Sequence, residues 1–256
     1  MDPKPDVARR QRGFSLIELL TVVVILMLVT GVVFQQIDLV QKRGRQEDVK
    51  MDLTQESREF VDQMVRDLHT SGYPNKRMYV VNLVDINDPR NAVGLVAVAP
   101  TSLLFEGDVD GDGQVDSIQY QLQSNGGACP CTIRRSQVVK TNTEPWNQAT
   151  NFNMEVNDVV NSGGAFPISG SATLASGVVP NDILYGDYKA APLFQVYDSS
   201  GNLMALPLDL KNNPTVMSTI RTIRITVNVL AGPAGADFDT RMRPAVSMTA
   251  AARVNN

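Results

Sequence analysis

From Phe14 to Phe34 the chain is apolar apart from Glu18, Ser15, Thr21, Thr30 and Gly31. That run matches the roughly 20 residues a helix needs to cross a bilayer. Beyond it the pattern changes without a break. Ile37, Val49, Leu53, Phe60, Val61, Met64 and Leu68 recur mostly at spacings of three, four and seven, and charges fill the other faces. The two patterns predict one helix of about 55 residues, roughly 80 Å long at 1.5 Å per residue. Its first half is apolar all round and its second half amphipathic. Ser71-Gly72-Tyr73-Pro74 supplies the stop, a glycine followed by a proline.

After the stop, short β-rich runs take over: 78–84, 93–99, 102–107, 115–122, 131–139, 192–198, 219–231 and 243–254. In 219–231, Ile223, Ile225, Val227 and Val229 fall on one face and Arg224, Thr226 and Asn228 on the other, the alternation of a half-buried strand. Asp198-Ser199-Ser200-Gly201-Asn202 reads as a hairpin turn. Residues 141–191 are rich in Asn, Gly, Ser, Thr and Ala. They read as a long surface excursion, with a short helix at 151–161 and partner contact as the use. The expected fold is α+β: a long N-terminal helix packed on an antiparallel β-sheet. The organisation follows as a leader at 1–13, a membrane-spanning half-helix at 14–40, an amphipathic half-helix at 41–72 and a β-rich head at 73–256.

Composition removes several function classes. A formal net charge of −4 and a pI of about 5.1 give no basic stripe, so direct contact with nucleic acid is not expected. One histidine, His69, and two cysteines, Cys129 and Cys131, are too few for a zinc site of Cys and His ligands. No P-loop, Gly-rich dinucleotide fingerprint or Gly-x-Ser-x-Gly turn is present, and no enzyme activity is expected.

Arg9, Arg10 and Arg12 precede the apolar run, which places them on the cytoplasmic side and the rest of the chain outside. No small-residue cleavage site closes the run, as it would in a secretory signal. Glu18 is the anomaly, because a carboxylate in hydrocarbon costs several kcal/mol and marks function. Arg12-Gly13-Phe14-Ser15-Leu16-Ile17-Glu18-Leu19-Leu20 resembles the type III signal of type IV prepilins and pseudopilins. The resemblance implies that a prepilin peptidase cuts between Gly13 and Phe14 and methylates the new amine of Phe14. It also implies assembly with other major and minor pilins through the apolar helix. The removed leader carries a net +2, so the formal charge goes from −4 to −6. In a filament the Phe14 amine of one subunit would lie near the Glu18 carboxylate of another, each charge compensating the other. One departure from major pilins is that the chain has no proline between Pro5 and Pro74.

GDVDGDGQVDSI (107–118) is the second informative stretch. Asp108, Asp110, Asp112, Gly113 and Asp116 fall at positions 1, 3, 5, 6 and 9 of a calcium loop of the EF-hand kind, and the carbonyl of Gln114 adds a ligand. Oxygens at alternate positions of a tight loop converge on one point, and clustered carboxylates repel unless a cation lies among them. Position 12 is Gln119 rather than glutamate, and the flanks read as strands. The expected ligand is therefore Ca²⁺ held in a β-hairpin loop, with Glu106 as the borrowed ligand. Cys129-Pro130-Cys131 leaves two readings open. The pair either forms a disulfide that closes almost no loop, or remains two thiols in a turn.

The strings SLLFEGDVDGDGQVDSIQYQL, TIRRS, PLFQVYDSSGNLM and IRTIRITVNV also resemble PilW-type minor pilins and, more distantly, J-type minor pseudopilins of type II secretion. That implies a structural minor pilin in the inner membrane, with its head outside the cytoplasm. After assembly it would stand in a pilus at the cell surface, priming or capping a filament used in adhesion or motility. The alternative is a minor pseudopilin of a type II secretion system.

Overall fold

The apolar run and the amphipathic run form one helix, α1 (Leu16–His69). The computed structural model describes residues 15–75, 85–174, 176–231 and 243–254, so Gly13, Phe14 and the strand expected at 78–84 lie outside the described residues. The chain divides into two units, Met1–Arg45 and Gln46–Asn256. In the first unit every described residue is exposed. In the second, the helix buries Ser57, Phe60, Val61, Met64, Asp67 and Leu68, one face at three- and four-residue spacing.

The strands of the second unit are β1 (Leu95–Ala99), β2 (Ser102–Gly107), β3 (Asp116–Asn125), β4 (Ala128–Val139), β5 (Asn153–Val159), β6 (Ser171–Leu174), β7 (Gly177–Pro180), β8 (Phe194–Asp198), β9 (Leu208–Asp209), β10 (Ile220–Leu230) and β11 (Ala245–Arg253). Among the described residues, nine of them make one antiparallel sheet in the order β11-β10-β5-β4-β3-β2-β1-β9, with β8 also on β10, while β6 and β7 form a separate hairpin. The apolar faces of α1 and the sheet meet over Phe60, Met64, Leu68, Phe105, Ile118, Tyr120, Ile133 and Ile223. Phe60 meets the Tyr120 ring edge-on with centroids 5.9 Å apart. Every buried residue among the described ones lies within Gln46–Asn256, so that unit carries its own core and folds without the apolar half-helix.

Residues 141–191 depart from the expected excursion. Residues 153–159 form a strand rather than a helix, and β5 lies inside the sheet between β4 and β10 (Ile133↔Val156, Val229↔Val159). The cause is a bulge. Register shifts interrupt the β4–β5 pairing, and Asp158 has φ +56°. The irregularity puts Val156 and Val159 both into the core although they are three residues apart, a spacing that mimics a helix. The turn expected at 198–202 is present: Asp198 Oδ1 accepts the N–H groups of Ser200 and Asn202 at 2.8 Å each.

The stop after α1 is tied to the Asp-rich loop. Gly72 N–H donates to the Glu106 carbonyl at 2.9 Å, and Asp108 N–H donates to the Tyr73 carbonyl at 2.9 Å. Gly107 is required at this crossing, since a Cβ there would stand 2.5 Å from the Thr70 carbonyl oxygen. The end of the helix and the start of the loop are thereby fixed to each other.

Candidate functional site

The first site is the start of α1. Leu19 to Ile37 carries no charged residue, its apolar window has a mean hydropathy of 2.8, and none of that window is buried. Its hydroxyls are satisfied on the helix itself: Thr21 Oγ1 donates to the Glu18 carbonyl at 2.9 Å and Thr30 Oγ1 to the Leu26 carbonyl at 2.6 Å. Glu18 lies in the first turn, where its negative charge complements the helix dipole. The polar boundary is marked by the exposed Asp38–Lys42 pair, 2.9 Å apart.

The second site is the loop between β2 and β3. Carboxylate oxygens of Asp108, Asp110 and Asp112 converge within 4.8 Å of one another. Turn chemistry produces this. Asp108 Oδ1 accepts the Gly111 N–H at 2.8 Å and Oδ2 the Gly113 N–H at 3.1 Å. Asp112 Oδ1 accepts the Gln114 N–H at 2.7 Å. Gly113 has φ +85°, the left-handed bend that glycine allows. The Gln114 side chain does not face the cluster freely, since its Nε2 donates to Asp112 Oδ2 at 2.8 Å.

Asp116 stands apart from the three. It is buried at the start of β3 and accepts from Gln137 Nε2 at 2.7 Å. Burial pushes its carboxyl up to about 6; the Gln137 hydrogen bond opposes this, and the charges of Asp110, Asp112 and Asp108 add to it. Glu106 is not the borrowed ligand. It pairs across the ladder with Ser117 while Gly107 pairs with Asp116, so Glu106 and Asp116 face opposite sides of the sheet. Its side chain is wholly buried against Lys140 Nζ at 2.6 Å.

Cys129 and Cys131 are joined by a disulfide at the start of β4 and both are buried. Two polar clusters escaped the sequence reading. One is Glu106 with Lys140. In the other, Asp67 Oδ2 accepts from Tyr120 Oη at 2.7 Å and from Arg135 Nε and Nη2 at 3.0 and 2.9 Å. The second had a signal: Asp67 falls seven residues after Phe60, on the apolar stripe of α1.

The fold and the first site together define an α+β protein whose head carries its own core and whose helix begins with a membrane-length apolar surface. Residues 8–34 match the family model for the prokaryotic N-terminal methylation motif. No curated protein and no solved structure matches the chain. The motif supports a type IV pilin- or pseudopilin-like protein and implies processing by the prepilin peptidase and assembly with other pilins. With the apolar helix it supports anchoring in a membrane.

Proposed function

We propose that this chain is a minor pilin. It enters the inner membrane through the apolar part of α1, is cleaved between Gly13 and Phe14, and joins a type IV filament through that same helix. Its role is structural, and its place is at the priming or capping end of the filament. One observation carries the reading. The head has a complete core of its own, yet Leu19 to Ile37 exposes apolar side chains on every side. Such a surface needs lipid first and other apolar helices afterwards. The strings 102–122 and 192–204 resemble PilW-type minor pilins and support that subunit type, whereas the α+β architecture is common to minor pilins and secretion pseudopilins.

The experiment is mass spectrometry of the N-terminus of the protein from cells with and without a working prepilin peptidase. The expected peptide begins at N-methylated Phe14 in the first and retains residues 1–13 in the second. An intact leader in both overturns the reading.

The same reading assigns Ca²⁺ to the β2–β3 loop, with Asp108, Asp110 and Asp112 supplying carboxylate oxygens and the Gln114 carbonyl a further ligand, while Asp116 stays with Gln137. The support is the convergence of the three carboxylates. A bound Ca²⁺ would offset two of their three negative charges and hold the loop beside the end of α1. Ligand-poor extracellular calcium sites bind at about 10⁻⁴–10⁻³ M. At about 10 mM Ca²⁺ linkage then raises the melting temperature of residues 46–256 by roughly 3–8 °C. Asp110→Ala with Asp112→Ala abolishes the rise. A wild-type unit whose melting temperature ignores calcium rules the assignment out.

A further inference from the structure

Among the described residues one edge of the sheet is left open. Val254 N–H donates to the Arg221 carbonyl at 3.0 Å, and Ala231 N–H donates to the Pro244 carbonyl at 2.8 Å. Even-numbered residues of β11 therefore aim their backbone groups at β10. Backbone polar groups alternate along a strand, so Ala245, Ser247, Thr249, Ala251 and Arg253 aim theirs away from the sheet. Among the described residues no backbone group bonds to them from that side. The side chains of Ser247, Thr249, Ala251 and Arg253 are exposed as well.

Sheet edges are normally blunted by lysine, proline, a bulge or a very short strand. The other end of this sheet follows that rule, since β1 is capped by the two residues of β9. β11 carries only one protecting charge, Arg253 at its last position. It is nine residues long, Ala245–Arg253, with no lysine or proline, and it pairs with β10 from Leu230↔Ala245 to Thr222↔Arg253 without a register shift.

The strand is also complementary to itself. Laid antiparallel on a second copy about Thr249, it pairs residue i with residue 498 − i, so the outward-facing groups of both strands meet. Ser247 then faces Ala251, Thr249 faces its twin, and Arg253 faces Ala245. The two arginines stand about 26 Å apart at 3.3 Å per residue, beyond the screening length at physiological salt. The central Thr–Thr pair favours the contact, and the small side chains around it let the two backbones approach without a clash.

We propose that β11 is a homotypic docking strand through which two copies of this head join their sheets, in antiparallel register centred on Thr249. The proposal does not depend on the reading of the N-terminus. The expected result is that residues 46–256 dimerise reversibly in sedimentation velocity between about 1 and about 200 μM, a range typical of weak contacts. Ser247→Lys with Ala251→Lys puts lysine opposite lysine at two places in this register and weakens the dimer at least about tenfold. Ser247→Lys with Ala251→Glu puts opposite charges there and restores it. Both substituted side chains, Ser247 and Ala251, are exposed, so the variants keep the wild-type melting temperature, which checks their folding. A head that stays monomeric throughout overturns the proposal and leaves the edge to a strand of a different subunit. A dimer indifferent to the lysine pair, or weakened equally by both variants, overturns the register and with it the assignment to β11.

Discussion

Lys140→Met lowers the stability of the Gln46–Asn256 unit by about 3–5 kcal/mol in urea unfolding at neutral pH, the cost of stranding one partner of a buried pair. Lys140 Nζ donates to Glu106 Oε2 at 2.6 Å, to the Ile86 carbonyl at 2.7 Å and to the Asn91 carbonyl at 2.8 Å. Both side chains of the pair are fully shielded from solvent. Without the ammonium, Glu106 keeps only the Val93 N–H at 3.0 Å, and its Oε1 already has no partner. Two carbonyls of the 86–91 segment lose their donor at the same time.

Burial raises the Glu106 carboxyl above its ordinary value, and Lys140 opposes that rise. In the variant the opposition is gone and the carboxyl rises further. A group whose folded pKa is raised contributes stability below its unfolded pKa, and that contribution disappears as the pH climbs through the folded value. The deficit of Lys140→Met is therefore smallest near pH 4 and grows toward neutrality. Glu106→Leu combined with Lys140→Met regains most of the loss, because replacing both charges by apolar groups leaves nothing uncompensated. A cost below about 1 kcal/mol for Lys140→Met would show that the pair is solvated in solution.

Period two and period 3.6 made most of this architecture legible. α1 and its Gly72 stop were readable from the helical period, and strands β1 to β4, β8, β10 and β11 from short runs rich in β-favouring side chains, with clear alternation in β10. β5 was not, because a bulge at Asp158 turns the inward positions Val156 and Val159 into a helix-like pair. The β6–β7 hairpin escaped too, since SATL and GVVP are short and poor in β-favouring side chains. At the Asp-rich loop, spacing alone brought Asp108, Asp110 and Asp112 together. Asp116 and Glu106 were harder, because each belongs to a strand, and strand parity decides which face its carboxylate occupies. Glu106 pairs with Ser117, and its partner Lys140 follows directly after the last residue of β4, a contact between residues 34 apart in sequence. Nothing local in the chain announces a pairing over that distance.

Glu18→Ala leaves membrane insertion intact and reduces the subunit's recovery in sheared filaments by at least about tenfold, equivalent to about 1.4 kcal/mol of lost assembly energy. Insertion depends on the uncharged stretch Leu19 to Ile37, which the substitution does not touch. A carboxylate opposes insertion, by about 2.5–3.5 kcal/mol at the centre of a membrane helix and by less at the end where Glu18 lies, so removing it cannot weaken the anchor. Assembly is different. On the proposed processing, leader removal would create an amine at Phe14, and packing of apolar helices would take that amine out of water. An unpaired cation there carries a desolvation cost of several kcal/mol, which a neighbouring Glu18 carboxylate offsets. Glu18→Gln keeps the shape and loses the charge, whereas Glu18→Asp keeps the charge and shortens the reach. If pairing sets the register, Glu18→Gln fails as Glu18→Ala does, and Glu18→Asp retains part of the wild-type level. Immunoblots of the filament and membrane fractions measure both quantities in the same cells. Equal recovery of Glu18→Ala and wild type in filaments would remove the charge pairing, and would leave the apolar surface of α1 as the whole of the assembly energy.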